Sequence, residues 1–200
     1  MCQFFESIRV LDGEVFAIAA HQERIDRTLT LKQGLPFSLF KIAKEFNFPI
    51  QGLYKWRVQY NLEGLYTSEC TAYEIQKPTG FKLVTADHIV YDCKYQDRKQ
   101  IHALTESVRP SDIIMLKDGL VTDSSYANLV FYNGTQWLSP RTPLLLGTQR
   151  NELLNNGLLH LADIRPQDLP ALPFFKLINA LMPFESSPLL STNKYIIKKQ

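Results

Sequence analysis

Four places along this 200-residue sequence set residue types capable of chemistry where a backbone could use them. Lys94 stands in Tyr91-Asp92-Cys93-Lys94-Tyr95-Gln96-Asp97-Arg98, between an aperiodic stretch and a helical pattern. A lysine held at such a junction can be desolvated, which lowers its pKa and yields the free amine that Schiff-base chemistry needs. The same residue also reads as one of the solvated lysines that cover most surfaces. Gly147-Thr148-Gln149-Arg150 sits where a loop becomes a helix. Unpaired first-turn amides and the positive end of the helix dipole form an anion site there, and glycine lets a phosphate come close to the backbone. An ordinary threonine cap after a glycine turn is the plain alternative. Asp123, in Val121-Thr122-Asp123-Ser124-Ser125, is either a loop aspartate closing an Asx turn or a carboxylate that keeps a heterocyclic nitrogen protonated. Arg24 follows His21 by three residues on a predicted helix, so the two share a face, as a surface pair or as part of a site.

Other chemistries lack their signatures. His21, His88, His102 and His160 show no metal-ligand spacing, and neither a GxSxG elbow nor a phosphate-loop lysine occurs. Pro170-Ala-Leu-Pro173 matches PxxP in form but precedes an apolar strand, which favours a buried connection. Lys+Arg 22 against Asp+Glu 20 gives a formal charge of +2, so no global field points to nucleic acid or anionic lipid, and any anion site must be local. The first residues lack the basic and apolar regions of a signal peptide, and no apolar run approaches the roughly 20 residues of a membrane helix. Cys2, Cys70 and Cys93 are odd in number and lack metal or CxxC spacing; they read as reduced thiols of a soluble, cytoplasmic protein.

The elements that must position these residues follow from periodicity. Phe5 to Val10 and Val15 to Ala19 flank Asp12-Gly13 as a hairpin. Residues 20–34 change to helical period with Gly34 as the C-cap, and Ser38 to Phe46 repeats the pattern with Ser38 as N-cap. Tyr54 to Tyr60 and Tyr66 to Ile75 alternate as antiparallel strands. Lys77-Pro78-Thr79-Gly80 interrupts, and Phe81 to Thr85 is a short strand. These features predict an N-terminal α+β domain over 1–85, a linker over 86–93, and a C-terminal α/β domain over 94–200. In the latter, Asp97 to Val108 is a helix, and Ile113 to Leu116, Leu129 to Tyr132 and Gln136 to Leu138 form a meander with turns at Asp118-Gly119 and Asn133-Gly134. A helix from Gly147-Thr148 carries Leu153, Leu154, Leu158 and Leu161 on its apolar face, Phe174 to Asn179 is a strand, and Lys194 to Lys199 is a solvated basic tail.

Taken in order, Phe5-Glu6-Ser7-Ile8-Arg9-Val10-Leu11-Asp12-Gly13, His21-x-x-Arg24, Lys94-x-x-x-Arg98, Asp118-Gly119 to Asp123 with Ala127-Asn128-Leu129, Gly147-Thr148-Gln149-Arg150 and Ile178-Asn179-Ala180-Leu181-Met182-Pro183 resemble the class IV aminotransferases. These are the fold-type IV pyridoxal-phosphate (PLP) enzymes: branched-chain and D-amino-acid aminotransferases and aminodeoxychorismate lyase. The Asn-Ala-Leu-Met-Pro run, the Lys94-to-Arg98 spacing and the hydroxyl at Ser7 make the chain most similar to the lyase.

The resemblance implies an α+β, two-lobed fold of the D-amino-acid aminotransferase type, shortened at the N-terminus. It implies a homodimer of the folate-biosynthesis type acting on a small amino-acid-like substrate, with no part for nucleic acid or membrane. It further implies that Lys94 holds PLP as a Schiff base and, once released, removes the Cα proton, and that Arg24 grips the cofactor phosphate together with the Gly147 and Thr148 amides. Asp123 falls where the family has glutamate beneath the pyridine nitrogen, with Asn128 among the cofactor contacts. Ser7, Asn179 and Ala180 face the substrate, Ser7 with a catalytic role, and Lys99 takes the place of a tyrosine in branched-chain enzymes. The implied reaction is β-elimination from 4-amino-4-deoxychorismate to 4-aminobenzoate and pyruvate. Transamination of a D- or branched-chain amino acid and a catalytically degenerate PLP-binding homologue are the other two readings.

Overall fold

The alternation of Phe4 to Leu11 makes a strand with two unlike faces. In the computed structural model, which describes residues 3–75 and 79–197, this is β1 (Phe4–Leu11). Its partners are β2 (Glu14–Val15), β3 (Leu53–Tyr60) and β4 (Tyr66–Ala72), in the antiparallel order β2-β1-β3-β4. Two helices intervene in sequence, α1 (Ile18–Lys32) and α2 (Leu39–Glu45). Ile8, Val10, Trp56, Val58 and Tyr60 are fully buried and pack with Ile25 and Leu29 of α1 and Leu39 and Ile42 of α2. The opposite face of β1 and β3, carrying Phe5, Ser7 and Arg9 against Gln59, Arg57 and Lys55, is therefore the face without a helix of this cluster.

Local chemistry sets the ends of these elements. Asp12 and Gly13 both take positive φ, 50° and 84°, as the Asp-Gly turn requires. The second strand of the hairpin stops after two residues and not five, because Ala17 turns left-handed at φ 52° and α1 begins at Ile18. Gln33, at φ 57°, caps α1 in place of the expected Gly34. Gly34 answers instead to packing, since a Cβ there would lie 2.7 Å from Leu29 Cδ2. Ser38 caps α2 as expected, its hydroxyl accepting from Lys41 N.

The second unit contains β5 (Phe81–Thr85), α3 (Lys99–Glu106), β6 (Asp112–Lys117), β7 (Leu120–Ser124), β8 (Asn128–Tyr132) and β9 (Trp137–Pro140). It continues through α4 (Thr148–Asn155), β10 (Leu159–Ala162), a 3-10 turn at Leu169–Ala171 and β11 (Phe174–Ile178). β12 (Leu190–Ser191), α5 (Thr192–Tyr195) and β13 (Ile196–Ile197) complete it. The strands run β10-β9-β8-β7-β6-β5-β13, with β11 pairing β8 and β12. Phe81, Ile114, Leu129, Phe131, Phe175 and Leu177 form its core.

Strand pairing redraws the expected division into domains. β5 pairs in parallel with β6, from Phe81 opposite Asp112 to Thr85 opposite Leu116, so it joins the second unit and not the first. Residues 86–92 also belong to the second unit; Ala86 and Ile89 are buried, and Ala86 N donates to Leu116 O at 2.7 Å, so this stretch is no bare linker. Cys93–Asp97, with Lys94, joins the first.

Two further expectations change in the second unit. The helix opened by Thr148 ends at Asn155; Gly157 reverses the chain at φ 72°, and residues 159–162 form β10, parallel to β9, leaving Leu158 and Leu161 exposed. The supposed tail places Ile196, only 6% exposed, in β13 against β5; Lys198 and Lys199 lie outside the described residues, as do Lys77, Pro78 and Cys2. Cys70 is a half-buried free thiol, and Cys93 is buried. Among the described residues no helix is long and apolar enough to cross a membrane.

Candidate active site

Lys94 owes its place to a short backbone pairing beside the start of β1. Phe5 N donates to Lys94 O at 3.0 Å, Gln96 N donates to Gln3 O at 2.8 Å, and Phe4 bridges to Tyr95. The half-buried Lys94 side chain brings Nζ to 4.7 Å from the Phe5 ring centroid. Arg57 Cζ lies 4.0 Å from the same centroid. Ser7 is opposite Arg57 in the β1–β3 register and shares the Phe5 face of β1. The first unit thus brings Ser7, Lys94 and Arg57 together around Phe5, and Arg57 is a residue that sequence reading did not select.

Glu6 points the other way, into the core. Its carboxylate accepts from Arg24 Nε at 2.9 Å, from Arg24 Nη2, and from His21 Nδ1 at 2.6 Å. Burial works to raise the Glu6 pKa, but the charge of Arg24 and the hydrogen bonds from His21 and Arg24 outweigh it and hold the group at about 2. Burial lowers the His21 pKa, against the pull of Glu6, so the ring is neutral at pH 7 and donates from Nδ1. Its Nε2 is then a buried acceptor without a hydrogen-bond partner among the described residues. The i, i+3 spacing correctly joined His21 to Arg24, but the carboxylate that binds both went unnoticed.

In the second unit the β7–β8 hairpin sets Asp123 directly opposite Asn128. Asn128 Nδ2 donates to Asp123 Oδ1 at 2.7 Å and to Leu145 O at 2.9 Å, while Leu145 N donates to Asp123 Oδ2 at 2.9 Å. Both of these donors to Asp123 are neutral amides. Burial therefore dominates and pushes the Asp123 carboxyl up to about 6, with the hydrogen bonds and the Arg150 charge opposing. Arg150 is buried too, its Nε donating to Ser139 Oγ and its Nη2 to Pro140 O, both at 2.8 Å. The sequence showed Arg150 only as part of a motif.

Gly147 precedes α4 in extended conformation and packs on the same amide: a Cβ at Gly147 would lie 1.9 Å from Asn128 Oδ1. Only glycine fits, and Asp123, Asn128, Gly147 and Thr148 form one connected group at the start of the helix. Asn179 turns the chain after β11: its Oδ1 accepts from Leu181 N and Met182 N, and its Nδ2 donates to Tyr126 O in the β7–β8 turn at 3.3 Å. Ala180 follows it, half-buried. Arg98 Nη2 donates to Ser125 O of the same turn, so three separate motifs meet around the hairpin that carries Asp123.

No family model matches the chain. An uncharacterised protein of Haemophilus influenzae is 36% identical over 189 residues, covering 90% of this chain and 98% of that one. A crystal structure from Haemophilus somnus, provisionally assigned as a 4-amino-4-deoxychorismate lyase, matches with a TM-score of 0.85 and 32% identity over 92% of this chain and 98% of its own. A Mesorhizobium loti protein, provisionally assigned as an amino-acid aminotransferase, matches over 100% of both chains with a TM-score of 0.78; at 18% identity it speaks for the fold alone. With these relatives spanning nearly the full length, the chain belongs to the class IV aminotransferase family, the fold-type IV pyridoxal-phosphate enzymes.

Proposed function

We propose that the chain is a PLP-dependent lyase that converts 4-amino-4-deoxychorismate into 4-aminobenzoate and pyruvate, with Lys94 as its Schiff-base lysine. The observation that carries the reading is the Asp123 group: a carboxyl pushed up to about 6 by burial, held by neutral amide donors and locked by Asn128 to a glycine at a helix start. That donor set fits PLP. Asp123 would hold the ring nitrogen of the cofactor in its protonated form, because opposite charges in contact favour each other's ionised state. The first-turn amides of α4 suit a phosphate. Arg24 of the first unit, its guanidinium plane fixed by Glu6, is the cation that this reading assigns to the cofactor. The H. somnus protein's provisional assignment supports the lyase over a transaminase.

When bound, PLP supplies an electron sink that acidifies the C–H bond beside the substrate amine. Lys94 Nζ takes that proton. The C–O bond on the neighbouring ring carbon breaks, the oxygen keeps the electron pair, and the ring becomes aromatic. Ser7, which shares the Phe5 face of β1, protonates the leaving oxygen on this reading, and the released enol becomes pyruvate. Asn179 and Ala180 line the substrate side. The same reading carries a homodimer and a cytoplasmic place in the supply of 4-aminobenzoate for folate.

Product analysis tests the reaction. Incubated with 4-amino-4-deoxychorismate, the PLP-loaded protein releases 4-aminobenzoate, and Lys94→Ala does not. A 2-oxo acid formed from an amino acid, with no 4-aminobenzoate from the aminodeoxychorismate, overturns the lyase in favour of an aminotransferase.

A further inference from the structure

The class IV resemblance sets Asn179 against the substrate, yet the backbone around Asn179 already uses most of its side chain. Its Oδ1 accepts from Leu181 N and Met182 N, both at 2.9 Å, which takes up both lone pairs of the amide oxygen. Asn179 N also donates to Met182 O, and Met182 N to Asn179 O, each at 3.1 Å, so residues 179–182 close into a turn. From the same side chain Nδ2 donates to Tyr126 O, in the β7–β8 turn. That second turn needs no outside help to form. Ser124 Oγ accepts from Ala127 N and donates to Ala127 O, both at 3.1 Å, and Ser124 N donates to Ala127 O at 3.0 Å. Local bonds set its shape, while Asn179 Nδ2 on Tyr126 O and Arg98 Nη2 on Ser125 O set where it sits. Asp123 and Asn128 flank the turn as a direct cross-strand pair, so its placement is also theirs.

We propose that Asn179 is a positioning residue: its oxygen folds the 179–182 turn, and its nitrogen ties that turn to the hairpin that carries Asp123. The inference rests on the PLP-lyase reading for what the two turns hold, but the tie itself belongs to the second unit with or without a cofactor. A substrate donor would have to displace Leu181 N or Met182 N from Oδ1, leaving a backbone N–H unpaired. Arg98 keeps its own hold on Ser125 O, so loss of the Asn179 tie loosens the hairpin without unfolding it.

Two variants separate the two halves of this role. Asn179→Asp keeps an oxygen for Leu181 N and Met182 N but lacks the amide hydrogens, so it cuts only the tie; Asn179→Ala removes both. In cofactor-free protein, amide hydrogen exchange at Leu181 is expected to stay slow in Asn179→Asp and to quicken in Asn179→Ala, while exchange across residues 124–128 quickens in both. PLP titration followed by visible absorption is expected to show affinity lowered about two- to tenfold in both variants. The visible circular dichroism per bound cofactor, which reports how firmly its ring is held, falls with it. A loss of PLP affinity confined to Asn179→Asp is an effect of the new charge, and one confined to Asn179→Ala is an effect of turn folding; either overturns the tie. Unchanged PLP affinity and dichroism in both variants, with binding of 4-aminobenzoate weakened, makes Asn179 a direct substrate contact and overturns it too. Absence of a visible band from wild type strikes instead at the PLP reading, and the exchange across residues 124–128 then decides the tie by itself.

Discussion

Replacing Glu6 by Gln leaves Arg24 buried without its carboxylate, a change that costs about 3–5 kcal/mol where a buried pair is broken from one side. Urea unfolding of Glu6→Gln is expected to show a midpoint lowered accordingly; a midpoint equal to wild type would mean that Arg24 finds another anion or reaches water. Glu6→Asp, which keeps the charge, is expected to recover part of the loss. At this scale the sequence showed one half of the arrangement. His21 and Arg24 declare themselves by helical spacing, but Glu6 lies 18 residues from Arg24 on a strand, and only the packing of α1 on β1 joins them. Arg57 was invisible for the same reason, since the β1–β3 register that sets it opposite Ser7 is a tertiary fact.

The β7–β8 hairpin and the start of α4 act as one element. Gly147→Ala drives a Cβ to within 1.9 Å of Asn128 Oδ1, so Asn128 must abandon Asp123 or the helix start must shift. Titration of the protein with PLP, followed by its visible absorption, is expected to show affinity reduced about tenfold or more in Gly147→Ala and in Asn128→Ala. Unchanged affinity in both would remove this group from the cofactor site. The turn signals Asp118-Gly119 and Asn133-Gly134 and the Gly-Thr helix start were legible because turn and cap chemistry is local. The end of α4 was not. Leu158 and Leu161 keep helical spacing with Leu154, yet Gly157 turns the chain and a parallel strand on β9 takes over. A short apolar run does not by itself distinguish a helix from a strand.

For the whole molecule, two buried carboxyls impose opposite pH dependences on stability. Burial raises Asp123 from its usual 3.8 to about 6, so its contribution is fully present below 3.8 and is lost as pH rises through about 6. Glu6 is held at about 2, below its usual 4.5, so its contribution is fully present above 4.5 and is lost as pH falls through about 2. Thermal unfolding of cofactor-free protein is expected to show a midpoint falling between pH 3.8 and about 6 that is absent in Asp123→Asn; the same fall in that variant would assign it elsewhere. The ordered motifs carried the family at this scale, because each records a local need that survives whatever the remainder of the chain does. The borders of the two units were hidden, since β5 and Cys93–Asp97 are assigned by partners far away in sequence. The central claim is that Lys94 carries the cofactor. Borohydride reduction of the PLP-treated protein, followed by peptide mass spectrometry, is predicted to leave the pyridoxyl adduct on Lys94 and to find none in Lys94→Ala; an adduct confined to other lysines, or no adduct, would contradict it.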